Sequence, residues 1–472
     1  QGLQRVLKKP LPAAAVASLV GILVPLQMVS QTWDDHDRSD RYACRDFGAN
    51  YLNTLPVGGH PVIFTNGDND TFPLWYNQET EGVRTDARVC NLSYLQTDWY
   101  TDQMRRPAYD SPALPIHWNR YEYVDNVGHD VFYVRPDLRA ELDQIRKDRP
   151  EVNPYELKFL IDNYVRPKGY LPTDTFVVKV NKEAVLRSGM LLPEGPDSIP
   201  EYMTVSLKGK RIIAKNDMMV YEMLARNDWK RPLYMSVTLG PENYAGLQDY
   251  LVLEGLAYRI TPFPVGMETV DTDKMDDNMM KRFKYGNVKA PGIYLDETVM
   301  RMCQTHRHMF IVLARQLLDE GDKARALKVL RKCKAELPAA NIPYDRDYEL
   351  VQLWMAVGQK KEAARVAEAL GTSAYKYLTW INTLGDRASR FVNNCERQVR
   401  MLSATAQALK DCGSPLAGRF EQRFRELEQT PAIQLVLQSI QEREAARYQQ
   451  MMQEQQEQEG GGGQDFSDYV GF

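Results

Sequence analysis

Histidine and cysteine are scarce in this chain, and neither falls into a chemically telling pattern. The six cysteines (Cys44, Cys90, Cys303, Cys333, Cys395, Cys412) lie far apart with no CxxC or CxxH pair, which excludes the usual zinc and thioredoxin-type spacings. They read as buried free thiols, with one or two disulfides open only if the chain is exported. The six histidines (His36, His60, His117, His129, His306, His308) form no HExxH. His306 and His308 are two residues apart and face different sides of a helix, so no metal is assigned to them. GxSxG, P-loop and GxGxxG motifs are absent, so neither a hydrolase nor a nucleotidase can be assembled from visible motifs. An excess of positive charge is missing too. The 59 basic and 63 acidic residues leave a formal charge of -4, and nucleic acid is not an expected partner.

What is present describes an ordered globular chain. It is 43% hydrophobic, 10% aromatic and 26% charged over 472 residues, enough for two to three domains at roughly 150 residues each. One long uncharged run stands out, Leu11 to Ser30 (LPAAAVASLVGILVPLQMVS), which meets the roughly 20 residues a bilayer requires. Pro12, Pro25 and Gln27 weaken it, and a secretory signal peptide is the alternative, although no clean A-x-A site follows. Lys8 and Lys9 precede the run and the acidic WDDHDRSD (Trp33 to Asp40) follows it, so the charge bias places the N-terminus in the cytoplasm and the remainder outside. Because Gln1 leads almost directly into this span, the expectation is the last helix and extracytoplasmic tail of a longer membrane protein.

Past the span, Tyr42, Phe47, Tyr51 and Leu55 recur at helical spacing, predicting a helix over residues 31–55. PVIFTN (61–66) reads as a strand, Gly67 to Asp70 as a turn, 71–81 as a helix and ARVCNL (87–92) as a second strand, which together make one βαβ unit. Further on, a helix is expected from Asp98 to Arg105, a strand at TFVVKV (175–180) and a hairpin over 203–214 turning at Lys208-Gly209-Lys210. A helix capped by Asn216 or Asp217 then runs to Arg226, and a strand follows at PLYMSVT (232–238). After Asp296 helical periodicity takes over. Gly321 with Ala326, and Gly358 with Ala363, repeat one offset, and Pro338 follows the first pair, as in tetratricopeptide helical pairs. The expected layout is a membrane helix and cytoplasmic flank (1–30), an extracytoplasmic α/β domain with a mixed sheet and flanking helices (31–264), a connector (265–297), an all-α tetratricopeptide-like domain (298–440), and a helical to flexible low-complexity tail (441–472).

Two clusters are candidate sites. The first is FTNGDNDTFPLW (Phe64 to Trp75), where Asn66, Asp68, Asn69 and Asp70 sit at the carboxyl end of a strand, the usual position of ligands in α/β sheets. Asp68-Asn69-Asp70 has the form of the DxD element that holds a divalent metal on a nucleotide-sugar diphosphate. The bland alternative is a structural turn, with Asn66-Gly67 at positive φ and Asp70 or Thr71 capping the helix. The second cluster is Asp34, Asp35, His36, Asp37 and Arg38, either an ion-paired collar (Asp34 with Arg38, Asp37 with Arg41) or groups facing the mouth of a membrane-embedded site. Trp75, Trp99 and Tyr100 are candidate aromatic contacts, with core packing as the alternative.

The runs WDDHDRSDRYACRDFGANYLNTL, VIFTNGDNDTFPLWYNQETEGVRTDARVCNLSYLQTDWY and WKRPLYMSVT (Trp229 to Thr238) resemble the post-membrane region of a bacterial multi-pass membrane family related to the animal plexin O-mannosyltransferase, of the GT-C type. The resemblance covers about residues 30 to 265. It implies transfer of a sugar from a lipid-phosphate donor to protein Ser or Thr at the outer face of the bacterial inner membrane, with most of this chain in the periplasm. It also implies that the catalytic acid lies in an early loop between the first membrane helices, which this chain does not contain. No catalytic residue is therefore carried over, and no cofactor is expected. A divalent metal at Asp68 and Asp70 belongs only to the alternative of a DxD enzyme, and a further alternative is a noncatalytic membrane-anchored repeat scaffold. The implied partners are the membrane, an acceptor protein or partner subunit on the helical repeats, and a lipid-linked sugar donor held by the missing membrane module.

Overall fold

The computed structural model describes residues 10–266, 268–344 and 347–460; the lysine-bearing flank at 1–9 and the end of the tail at 461–472 lie outside them. The chain divides into two compact units, Gln1–Glu320 with Lys328–Ile342, and Gly321–Leu327 with Pro343–Phe472. The first is mixed α/β and the second is helical.

Helix α1 (Pro10–His36) opens the first unit. Its stretch Ala14–Trp33 is long and apolar enough to cross a membrane and none of it is buried, which fits a membrane anchor or a signal sequence. The single helix expected over 31–55 is broken. The chain leaves α1 after His36, and α2 (Ala43–Thr54) starts afresh. The break has a local cause. Asp37 accepts hydrogen bonds from the N–H and hydroxyl of Ser39, and Asp40 takes a positive φ of 57°, a turn that competes with helix.

The strands are β1 (Val62–Thr65), β2 (Arg88–Asn91), β3 (Val131–Val134), β4 (Tyr170–Leu171), β5 (Thr175–Lys179), β6 (Tyr202–Ser206), β7 (Ile212–Ala214), β8 (Leu233–Ser236), β9 (Leu251–Leu253) and β10 (Ala257–Ile260). The main sheet has the order β2-β1-β8-β10-β9. Strands β2 and β8 flank β1 in parallel, with Val62 opposite Arg88 and Leu233, while β10 and β9 add antiparallel. Every residue of β1, β2 and β8 is buried, as expected of a parallel sheet covered on both faces, and the polar residues among them, Thr65, Arg88, Asn91 and Ser236, stand at strand ends. The expected hairpin over 203–214 does not form: β6 pairs with β5 and β7 with β3. Lys208 to Lys210 does turn the chain, with Gly209 at φ 86°, but it sends the two arms into different sheets. Helix α5 (Lys215–Arg226) begins one residue earlier than expected, on Ala214 and without a side-chain cap.

Between β1 and β2 runs α3 (Asp68–Glu79), and after β2 comes α4 (Asp98–Met104). Helix α3 packs on α2 at very short range: a Cβ on Gly48 would stand 2.3 Å from the Pro73 carbonyl oxygen. Pro73 cannot donate within α3, and Asn77 Nδ2 bonds both the Pro73 and Arg45 carbonyls, knitting the two helices together. On its other side α2 meets α6 (Glu297–Asp319). His306 is fully enclosed by Phe47, Phe283 and Tyr285, and its Nε2 accepts from Asn50 Nδ2 at 2.9 Å. Residues 265–297 supply much of this packing, burying Met275, Met279, Phe283, Tyr285 and Val288.

After α6 comes α7 (Lys323–Glu336). Its residues from Lys328 on belong to the first unit, and the second unit holds α8 (Glu349–Ala356), α9 (Lys360–Asn382), α10 (Val392–Asp411), α11 (Ala417–Glu428) and α12 (Pro431–Gly460), each packing on the next. Gly321 and Gly358 adopt φ of 85° and 78°, and Ala326 and Ala363 are buried. None of the six cysteines is in a disulfide; Cys44 and Cys412 are half-buried and the rest buried.

Two outcomes follow from this packing. Gly48→Ala forces backbone apart rather than a flexible side chain, so a loss of about 2 kcal/mol or more is expected, read as a lower urea midpoint at constant slope. Burial pushes His306 down to about 4 from 6.5. The unfolded chain takes up a proton that the fold refuses, so stability is full above pH 6.5 and falls as the pH drops toward 4. The ceiling is about 3 kcal/mol. Denaturation series across this window should show the slope in the native sequence and a flatter one in His306→Leu.

Candidate functional site

From β1 the chain crosses through α3 to β2 on one side, while β8 lies on the other side of β1. The carboxyl ends of β1 and β8 therefore open at a switch point of the sheet, where α/β folds place ligands. FTNGDND fills this position. Gly67, at φ 77° and ψ 176°, is the cap of α3, a conformation that favours glycine, and the helix starts at Asp68, earlier than expected. Neither Asp70 nor Thr71 caps it. Thr71 donates to the Gly67 carbonyl at 2.7 Å and meets Thr65 Oγ1 at 2.8 Å, and Asn91 Nδ2 bonds Thr71 Oγ1 at 2.7 Å. This buried hydroxyl–amide cluster sets the turn. Asn66 accepts from Ser93 just above it.

The two carboxylates of the triplet turn to different partners. Asp70 accepts from Thr238 Oγ1, and Thr238 also meets Tyr51 OH at 3.1 Å and Ser236 Oγ at 3.0 Å. Desolvation pushes the half-buried Asp70 carboxyl up, and the Thr238 bond pulls it back. Burial, then the Asp70 charge, push the enclosed Tyr51 phenol well above its ordinary value. Asp68 is exposed and accepts from Tyr94 OH at 3.3 Å. Among the described residues no group of three or more His, Cys, Asp or Glu is placed to hold a metal.

Asp68 and Asn69 instead line a cleft of about 420 Å³. Its other walls are Arg38 and Arg41 just past α1, Ala43 and Cys44 of α2, Phe72 and Pro73 of α3, and Tyr294 to Met302 at the start of α6. Arg38 Nη1 pairs with Asp296 Oδ2 at 3.2 Å, and the Arg41 guanidinium lies 4.7 Å above the Tyr294 ring. Desolvation works against the Asp296 charge, yet the Val299 N–H and Arg38 hold its carboxyl below the ordinary range. The structure thus brings Arg38 of the second cluster onto the same cleft as Asp68 and Asn69 of the first. Because α1 ends at His36, Asp37 and Arg41 do not share a helix, although, after the Ser39 hydrogen bonds, the Arg41 charge helps to lower Asp37, and Arg38 reaches Asp296. His36 bonds the Thr32 carbonyl on α1, Ser39 holds Asp37 below its usual value, and the side chains of Asp34 and Asp35 lie outside those described.

The candidate aromatics form a surface ladder. Phe72 stacks on Trp75 at 5.7 Å, Trp75 on Tyr94 at 6.2 Å, and Tyr94 meets Trp99 at 5.8 Å. Phe72 and Trp99 stay 47% and 54% exposed, whereas Tyr100 is buried, its hydroxyl accepting from Asn91 N–H at 2.9 Å. Sequence reasoning missed Thr238, Phe72, Tyr294 and Asp296. Thr238 was within reach, since it follows a strand just as Asn66 does; Tyr294 and Asp296 lie far from Asp68 in sequence, and Asp296 signals there only the start of a helix, which it caps.

Thr238→Val removes the donor to Asp70. The Asp70 carboxyl should then titrate higher still, observed by carbon-13 NMR of the carboxylates, with a stability loss of about 1 kcal/mol.

The family described as TMEM260-associated domain 2 matches residues 44–279. No curated protein matches the chain, and no solved structure does.

Proposed function

The chain belongs to the TMEM260-associated domain 2 family, and from that membership we propose that it serves as the extracytoplasmic C-terminal part of a membrane glycosyltransferase. The family is linked to the animal plexin O-mannosyltransferase, so the reaction in this reading is transfer of a sugar from a lipid-phosphate donor to protein Ser or Thr. The site lies at the outer face of a bacterial inner membrane, with the bulk of the chain in the periplasm. The family match over residues 44–279 carries the reading. The position of the cleft, walled by residues that directly follow the one membrane-length helix among those described, supports it.

In this role the α/β unit shapes the side of the active site that faces the exported compartment. The second unit, whose helix pairs we read as tetratricopeptide-like, engages acceptor protein or a partner subunit. The chemistry of transfer is not assigned to any residue of this chain. The opposite orientations of Asp68 and Asp70 favour this over a DxD metal site, because a shared metal needs both carboxylates on one ion.

The test is genetic, in the source bacterium. Scarless deletion of the segment encoding residues 31–472, set beside Asp68→Ala and Arg38→Ala alleles, should abolish or reduce O-linked hexose on exported proteins in glycopeptide mass spectrometry. An unchanged glycopeptide profile in the deletion strain would remove the proposal.

A further inference from the structure

We propose that the cleft between the foot of α1, the start of α2, the first turns of α3 and the start of α6 is a carbohydrate subsite that takes one neutral hexopyranose unit. Its volume of about 420 Å³ falls within the range of small-ligand sites.

The lining selects the ligand class by charge and by shape. Arg38 and Arg41 face Asp68 and Asp296 around one opening, so the cationic and anionic side chains balance. A free phosphate or carboxylate attracted by the arginines meets two carboxylates, and a cation attracted by the carboxylates meets two guanidinium groups. An apolar occupant matches Phe72, Pro73 and the aliphatic lining, but it strips water from Asp68 and Arg41 and from the Arg38–Asp296 pair and returns no hydrogen bond, a heavy cost for ionised groups. Sugar hydroxyls avoid each penalty because every one both donates and accepts: it can donate to Asp68 and accept from Arg38 or from the Asn69 amide.

The aromatic residues fit the same occupant. Phe72 lines the cleft and is steadied by Trp75 stacked at 5.7 Å, itself backed by Tyr94. Tyr294 lines the cleft under the Arg41 guanidinium. Two rings held by their neighbours offer firm faces for the C–H side of a pyranose at little cost in side-chain entropy. The Asp68 carboxylate is likewise held, by Tyr94 OH. Ring and carboxylate are thus positioned by one tyrosine–tryptophan stack, and the site is built before any sugar arrives.

The choice of sugar rests on the glycan-transfer reading; the binding is tested without it. The full chain in lipid nanodiscs is presented with methyl α-D-mannopyranoside and observed by saturation-transfer-difference NMR, with inorganic phosphate in a parallel arm followed by phosphorus-31 line width. Transfer to the ring C–H protons of the mannoside is expected, with no broadening of phosphate. Phe72→Ala and Asp68→Ala should each weaken mannoside binding by about fivefold, in keeping with loss of one stacking or charged hydrogen-bonding partner. Phe72→Tyr should keep binding, as should Tyr109→Ala at an exposed ring outside the cleft lining. Thermal melts confirm that each variant is folded. Absence of transfer from the folded native chain, transfer unchanged in Phe72→Ala and Asp68→Ala, or phosphate broadening that Arg38→Ala abolishes would each overturn the proposal. If glycosylation fails in the deletion strain while the cleft binds no mannoside, this subsite falls and the glycan-transfer reading stands. Mannoside binding with an unchanged glycopeptide profile gives the reverse.

Discussion

Helices α2 and α3 meet at Gly48 and Pro73 with no room for a side chain between them, and the position of almost every group at the cleft follows from that closeness. Because α3 cannot back away from α2, its first turn is held over the carboxyl end of β1, and Asp70 rests against Thr238 just past β8. Asn77 completes the fit by taking up the carbonyl of Pro73. On its opposite side α2 carries Asn50 and Phe47 against the enclosed His306, which brings the start of α6 to the same opening. One helix therefore gathers two walls of the cleft, and its own first residues, Ala43 and Cys44, make a third.

Within that frame the two halves of the DND triplet do different work. Asp70 is tied inward, through Thr238, to Ser236 and Tyr51, and so links the ends of β1 and β8 across the sheet. Asp68 faces outward and is held, among the described residues, by Tyr94. An acidic triplet that looks symmetric in sequence is split by about half a helical turn into a structural residue and an available one.

Much of this was legible in the sequence where local forces decide. The strands at 62–65, 88–91 and 233–236 are fully buried and announce themselves by the apolar residues at their centres, and the turn at Asn66-Gly67 announces itself by composition. The reading failed where pairing is decided at a distance. The Lys-Gly-Lys turn has the look of a hairpin, yet its arms find β5 and β3, more than 20 and 70 residues earlier in the chain. Strand β3 (VFYV) hid because it shows Val131 and Tyr133 to solvent and gives no apolar-polar alternation. The FTNGDND turn and the arginines past α1 were separately visible as clusters. Their meeting at one cleft depends on Asp296, which nothing local connects to either.

The break between α1 and α2 reaches beyond local geometry. Asp37 and Ser39 end one helix, and the chain has only the stretch to Ala43 before the next begins. At roughly 3.3–3.6 Å per residue that leash spans about 20 Å at full stretch. In the membrane-anchored role proposed above, the opening beside Arg38 and Arg41 stays within this distance of the end of α1, and a partner held in the same membrane would meet it at the raised effective concentration that a short tether confers.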